Sequence, residues 1–342
     1  SFDINSKSVE SYTALPNPIT LIVTNNSQSF QQYAYVTNAN SDTVSMYSIE
    51  SGILIPESTV VTGLFPVAIT LDQSGTHAYV INQTSDTVSM YSIESGVLTP
   101  ESTAATGDVP SAITLDPSGT HAYVTNAVSS TVSIYRIESG VLIPESLAET
   151  QSIPTAITLD PSGTHAYVTN GGSDTVSTYR IESGILIHDS TAVTQTYPIA
   201  ITIDKSGAHA YVTNQLSSTV SIYNIESGRL IPESSVATGD NPSALALDNS
   251  GTFAYVTNQE SNTVSMYSIE SGVLIPLTPV STAVTEYGPS AITLDPSGTF
   301  AYVPNIDSDT ISMYSLESGL LIPESTIITQ DSPSAIAITN YH

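Results

Sequence analysis

Tyrosine returns along this chain at a nearly constant interval. Tyr35, Tyr79, Tyr123, Tyr167, Tyr211 and Tyr255 stand 44 residues apart, and Tyr302 follows after 47. Around each the sequence reads AYVTN or a close variant, so seven copies of one unit fill most of the 342 residues. A segment this short cannot bury enough surface to be stable alone. The copies must therefore stack into one cooperative body in which each unit covers its neighbours.

Within a copy such as 110–150, four runs rich in Val, Ile, Thr and Tyr follow one another: PSAITLD, HAYVTN, TVSIYRIE and VLIPESLAE. No helical period competes with them. DPSGT joins the first two, with Asp to accept backbone N–H groups, Pro preset for a turn and Gly where a positive φ is wanted. ESG joins the last two and again ends on Gly. Two hairpins make a four-stranded antiparallel sheet, and seven such sheets predict an all-β, seven-bladed β-propeller around a channel, with 1–342 as a single domain. An open β-solenoid is the alternative, although its rungs are usually shorter. Ring closure leaves two options. The inner-strand pattern P-x-x-I-T-L occurs at 16–21, and a related PSAIAIT at 333–339, which makes eight candidates for seven blades. Either the C-terminal segment 333–342 completes the first blade, or residues 1–32 supply that strand and the C-terminal one docks elsewhere.

AYVTN followed by SDTVSMYSIESG and P-x-A-I-T-L-D-P-S-G resembles the YVTN-repeat β-propellers, which include archaeal surface-layer proteins and the lactonase-like propellers related to bacterial 6-phosphogluconolactonase. The resemblance covers about nine tenths of the chain. It implies either lactone hydrolysis or isomerisation in the channel, or extracellular binding by a repeat scaffold. In the lactonase-like enzymes the inner strand typically opens with Pro-His. Here the same places read Pro66-Val67, Pro110-Ser111, Pro154-Thr155, Pro198-Ile199, Pro242-Ser243 and Pro289-Ser290, without a histidine. On this departure a lactonase is not expected.

Charge narrows the partners further. Five basic residues, Lys7, Arg136, Arg180, Lys205 and Arg229, face 32 acidic ones, for a formal charge of -27. Nucleic acid and anionic membranes both require clustered cations. Neither is expected as a partner, and a phosphorylated substrate is disfavoured for the same reason. The absence of cysteine removes disulfides, thiolate metal sites and cysteine nucleophiles. No run of about 18 apolar residues suits a membrane span. The opening SFDINSKSVE has no signal-peptide pattern, which leaves a cytoplasmic location open, while the Ser, Thr, Asn and Tyr richness leans toward an extracellular or cell-surface protein.

Most repeated polar residues read as structure. His77, His121, His165 and His209 share a column with Tyr33, Phe253 and Phe300, so the position asks for a ring, and equivalent places on successive blades are too far splayed to hold one metal ion. Arg136 and Arg180 belong to third strands and pair with Glu of their own hairpins. His188-Asp189 reads as a surface substitution. Asp72, Asp116, Asp160, Asp204, Asp248 and Asp295 open the turns. Without a D-x-D-x-D-G loop no cofactor is expected, although the acidity would admit calcium.

The disagreement among the copies is concentrated in two places. The two-to-three loops vary at their second and third letters (NANSDT, NQTSDT, NAVSST and so on), and the blade-to-blade loops vary just before Pro (TGLFP, TGDVP, TQSIP and so on). In a four-stranded blade both loops lie on one face, so the variation forms a rim. Its candidate ligand-binding residues are Leu64, Phe65, Asp108, Val128, Ile153, Tyr197, Leu216, Asp240, Asn241, Glu260, Tyr287, Asp307 and Asp331. Apolar, aromatic and acidic loop residues together suit recognition of protein or carbohydrate. The leading expectation is a non-catalytic recognition scaffold. A lactonase-like hydrolase using rim acids such as Asp108 and Asp240, and a structural surface-array element, are the alternatives.

Overall fold

The computed structural model describes residues 31–278 and 281–339. They form seven antiparallel sheets, each built on the four-strand plan of a propeller blade. Blade 2 shows the pattern: Pro66–Leu71, His77–Asn82, Thr87–Glu94 and Val97–Ala105 pair in order from the channel outward. The first strands of successive blades neighbour one another around the channel.

The repeat residues explain why this sequence makes blades. The Tyr and Val of each YVTN are fully buried between adjacent sheets, so one blade's second strand packs on the next blade's third. The following Asn is buried too, and its amide replaces the hydrogen bonds that burial removes. Asn82 donates from Nδ2 to Thr87 Oγ1 at 3.1 Å and Ser89 Oγ at 2.9 Å, while its Oδ1 accepts the Gly63 N–H at 3.1 Å.

Blade 1 is built from both ends of the described chain. Pro333–Ile338 pairs antiparallel with Gln32–Asn38, which continues into Thr43–Glu50 and Ile53–Val61. Thr339 strengthens the junction, accepting the Tyr33 N–H on Oγ1 and donating its own N–H to the Tyr33 carbonyl, both at 2.9 Å. The competing candidate at 16–21 lies outside the described residues.

Blades 6 and 7 depart from the repeat. The extra residues of the 47-residue step divide the outer strand of blade 6 into Val273–Pro276 and Thr282–Val284. In blade 7 the inner strand shrinks to Thr293–Leu294 with an isolated bridge from Pro289 to Asn305. Pro304 stands where the other copies carry the Thr of YVTN or, in one, Ile81, and a proline has no N–H to give to the ladder.

Candidate functional site

The variable letters lie on a frame that barely changes. In each blade the Ser of the two-to-three loop accepts, on Oγ, the N–H of the residue two before the inner-strand Pro. The pairs run from Leu64 with Ser85 to Asp331 with Ser41, at 2.6–3.0 Å. The residue just before Pro is held a second way. The N–H groups of Phe65, Val109, Tyr197 and Ser332 reach Oδ1 of Asp42, Asp86, Asp174 and Asp309 on the preceding blade at 2.7–2.8 Å. Asn262 does the same for Gly288.

The crown residues share an uncommon backbone, which these bonds support in five blades. Phe65, Val109, Ile153, Tyr197, Asn241 and Ser332 adopt φ between 52 and 59°, with Gly288 at 72°. Left-handed conformations are costly for side chains of this kind, most of all β-branched ones, and persist only where the surroundings impose them. Seven such residues therefore crown the entrances of the seven inner strands. Their backbone is fixed by the fold rather than free to drift.

Each crown residue is tied to the two-to-three loop of its own blade. The N–H of the loop's second letter bonds the crown carbonyl, as from Gln83 to Phe65 and from Ala127 to Val109, and the N–H groups of Thr84, Val128, Gly172, Glu260 and Asp307 at the third letter bond the carbonyl one residue earlier. Side-chain contacts join the crown residue to the third letter. Asn241 Nδ2 donates to Glu260 Oε1 at 3.1 Å, Asn40 Nδ2 to Ser332 Oγ at 2.6 Å, the Asp307 carboxylate lies over Gly288, and Ile153 lies over Gly172.

Around the ring the pairs divide into two arcs. Blades 2 to 5 carry Phe65 with Thr84, Val109 with Val128, Ile153 with Gly172 and Tyr197 with Leu216. Blades 6, 7 and 1 carry Asn241 with Glu260, Gly288 with Asp307 and Ser332 with Asn40. The crown residues of the first arc are apolar or aromatic, and two of its loop partners are apolar and open, with Val128 67% and Leu216 66% exposed. The second is amide, hydroxyl and carboxylate.

Asp108, Asp240, Asp331 and Tyr287, with Leu64, sit one residue farther from the inner strand and are exposed. Among the described residues all four cations stand off this rim. Arg136 and Arg180 pair with Glu138 and Glu182 on third strands, Arg229 pairs with Asp189 of the neighbouring blade at 2.9 Å, and Lys205 bonds the Asn249 carbonyl at 2.7 Å in the turns opposite.

On that opposite face the histidines prove to be packing rings. Each ring in the column covers the Gly of the next blade's ESG turn: Tyr33 on Gly96, His77 on Gly140, His121 on Gly184 and Phe253 on Gly319, for example. The turn Asp residues cap their own loops. Asp72 Oδ1 accepts N–H groups from Thr76 at 2.7 Å and His77 at 2.9 Å, and Oδ2 accepts Ser74 Oγ at 2.6 Å. Burial alone would push the carboxyls of Asp72, Asp116, Asp160, Asp204 and Asp248 up, but these hydrogen bonds outweigh it and leave them below the usual range. His188 packs edge-on to Tyr179, with ring centroids 5.6 Å apart.

The residue after the inner-strand Pro, where the resemblance implied a histidine, has a structural duty here. Ser111, Thr155, Ser243, Ser290 and Ser334 donate Oγ hydrogen bonds to the inner-strand Pro carbonyl of the next blade at 2.7–3.0 Å. They lace the blades together below the crown. Sequence comparison alone missed this lacing and the Asp and Asn anchors. The signals were the recurrent hydroxyl after Pro and the SDT or SNT loop ending.

Comparison with known proteins places this geometry. The model of the family described as lactonase, 7-bladed β-propeller, matches residues 26–114, 106–242 and 228–338. No curated protein matches the chain significantly. Among solved structures, the periplasmic gluconolactonase of Pseudomonas aeruginosa is 19% identical, covering 91% of this chain and 100% of its own, with a TM-score of 0.82. A Bacteroides fragilis protein named as a candidate 6-phosphogluconolactonase is 18% identical over 92% of this chain and 99% of its own, with a TM-score of 0.83. Hydrazine synthase of Kuenenia stuttgartiensis is also similar, at 18% identity, 81% and 92% coverage and a TM-score of 0.67.

These findings correct the expectation of a non-catalytic recognition scaffold. It rested on the missing inner-strand histidines, and the lactonase family match extends across the blades in spite of them. A hydroxyl at that place serves the ring, and its identity alone does not take the chain out of the family. By its closed ring of seven four-stranded blades and this match, the chain belongs to the seven-bladed lactonase family of β-propellers.

Proposed function

We propose that this protein hydrolyses an uncharged lactone at the channel mouth on the crown face, with Glu260 or Asp307 as the base. The family match through residues 26–338 carries the reading. The names of the gluconolactonase and 6-phosphogluconolactonase neighbours support the same reaction class. Asn241 orients Glu260 through its 3.1 Å hydrogen bond, and Asp307 is seated against Gly288, so both carboxylates belong to the polar arc beside the mouth.

In the proposed reaction a carboxylate removes a proton from water while the water oxygen attacks the lactone carbonyl carbon. The ring C–O bond breaks, and the proton passes to the departing oxygen, leaving a hydroxy acid. The arrangement does not favour phosphorylated lactones, because the described cations are held away from the crown.

Acid release measured on a panel of uncharged sugar and alkyl lactones tests the proposal. Turnover well above the buffer rate is expected, with Glu260→Gln or Asp307→Asn lowering kcat by about a hundredfold or more, as for loss of a general base. Rates equal to buffer across the panel, or full activity in the double variant, would reject it.

A further inference from the structure

The crown is divided, and the division lies at the site where the lactone is placed. Four consecutive blades present Phe65, Val109, Ile153 and Tyr197 beside the channel mouth, and the remaining three present Asn241, Gly288 and Ser332. The division is carried by the crown column itself, and the third loop letter follows it with Val128 and Leu216 on one side and Asn40, Glu260 and Asp307 on the other. The apolar crown residues are all in left-handed backbone beside the Ser anchors, and all but Ile153, whose preceding blade carries Ser130 at the Asp position, have the Asp anchor too. Bulky side chains kept in a strained conformation at an entrance, and left partly open to solvent, form a preorganised apolar wall. Phe65 is 36% and Ile153 38% exposed.

We infer that the substrate is a lactone bearing an alkyl or acyl chain, with the chain laid along the apolar arc of blades 2 to 5 and the ester ring turned to the polar arc of blades 6, 7 and 1. The inference rests on the hydrolase reading for the site and adds the substrate class. A sugar lactone, hydroxylated on every side, would set hydroxyls against the side chains of Val109 and Ile153, which offer no hydrogen bond. An anionic chain is excluded by the acidic surroundings, since the formal charge is -27 and the described cations are paired elsewhere. A simple alkyl tail meets both conditions.

The test is a homologous series of γ-lactones with methyl, butyl and octyl side chains, run beside glucono-δ-lactone, with kcat/KM and calorimetric binding measured for each. Burial of chain methylenes along the arc is expected to raise kcat/KM and affinity about two- to fourfold per methylene. In Val109→Asn/Ile153→Asn the octyl-to-methyl ratio is expected to collapse at least tenfold, and thermal unfolding of that variant verifies that the ring has formed. Turnover that favours glucono-δ-lactone, or affinity that ignores chain length, overturns the inference while leaving the hydrolase reading intact. Absence of all turnover with chain-length-dependent binding overturns the hydrolase reading and supports the apolar arc. A Val109→Asn/Ile153→Asn protein that folds and keeps the octyl preference overturns the assignment to this arc.

Discussion

Two glycines of blade 3 offer a controlled test of how the blades are held together. Gly119, in the DPSGT turn, has φ of 68° and no atom near the position a Cβ would take. Gly140, in the ESG turn, has φ of 81°, and a Cβ there would overlap Cδ2 and Nε2 of His77 on the preceding blade. Alanine at Gly119 should therefore cost only the left-handed backbone, about 1–2 kcal/mol. Alanine at Gly140 should cost that and an overpacking penalty of about 1–3 kcal/mol. Denaturant unfolding of both variants gives the two losses on a common scale. His77→Ala supplies the decisive arm. It removes the ring that the new methyl meets, so the Gly140→Ala/His77→Ala loss should fall short of the sum of the single losses by about 1–3 kcal/mol, whereas Gly119→Ala combined with His77→Ala should be additive. Equal losses at the two glycines, or additivity in both cycles, would refute the close ring-on-glycine packing.

Other outcomes can be stated more briefly. The five turn carboxyls are depressed in the folded state, so their stabilisation is complete above the unfolded value of about 4 and is lost as pH falls through the lower folded values. Thermal unfolding should thus weaken progressively below about pH 4, and a flat profile down to pH 2.5 would contradict the capping role. Removal of residues 333–342 should expose the edge of Gln32–Asn38, read as faster amide exchange there than in blade 4. Pro304→Thr should restore an N–H to the blade 7 ladder and stabilise by about 0.5–1.5 kcal/mol, and a loss of stability would show that the shortened inner strand has another cause.

The fold was legible because its determinants are local and repeated seven times. Tyr, Val and Asn of YVTN mark the buried second strand, and the DPSG and ESG turns mark the hairpins. The comparison of copies also located the rim, since Leu64 and Phe65 flank the inner strand for reasons any blade shares. It did not reveal how the rim is held, because the bond from Asp86 to the Val109 N–H spans 23 residues and two blades. The arcs were equally hidden. They appear only when blade 1 takes Ser332 from one end of the chain and Asn40 from the other, a pairing fixed by the closing strand. The functional expectation went astray at Ser111 and its equivalents, where the absence of a histidine was read as loss of chemistry and the hydroxyl's bond across blades was not visible.

The composite blade also sets an order of events during synthesis. Blades 2 to 7 each take their strands in sequence order, and each can pair as it leaves the ribosome. Blade 1 cannot, because Thr37 meets Ser334 across 297 residues. Its three early strands must wait with one edge unpaired until nearly the whole chain has been made, and an unpaired edge invites association with other chains. The slowest and most aggregation-exposed step of folding is therefore expected at the seam, where the last strand arrives to turn an open array into a ring.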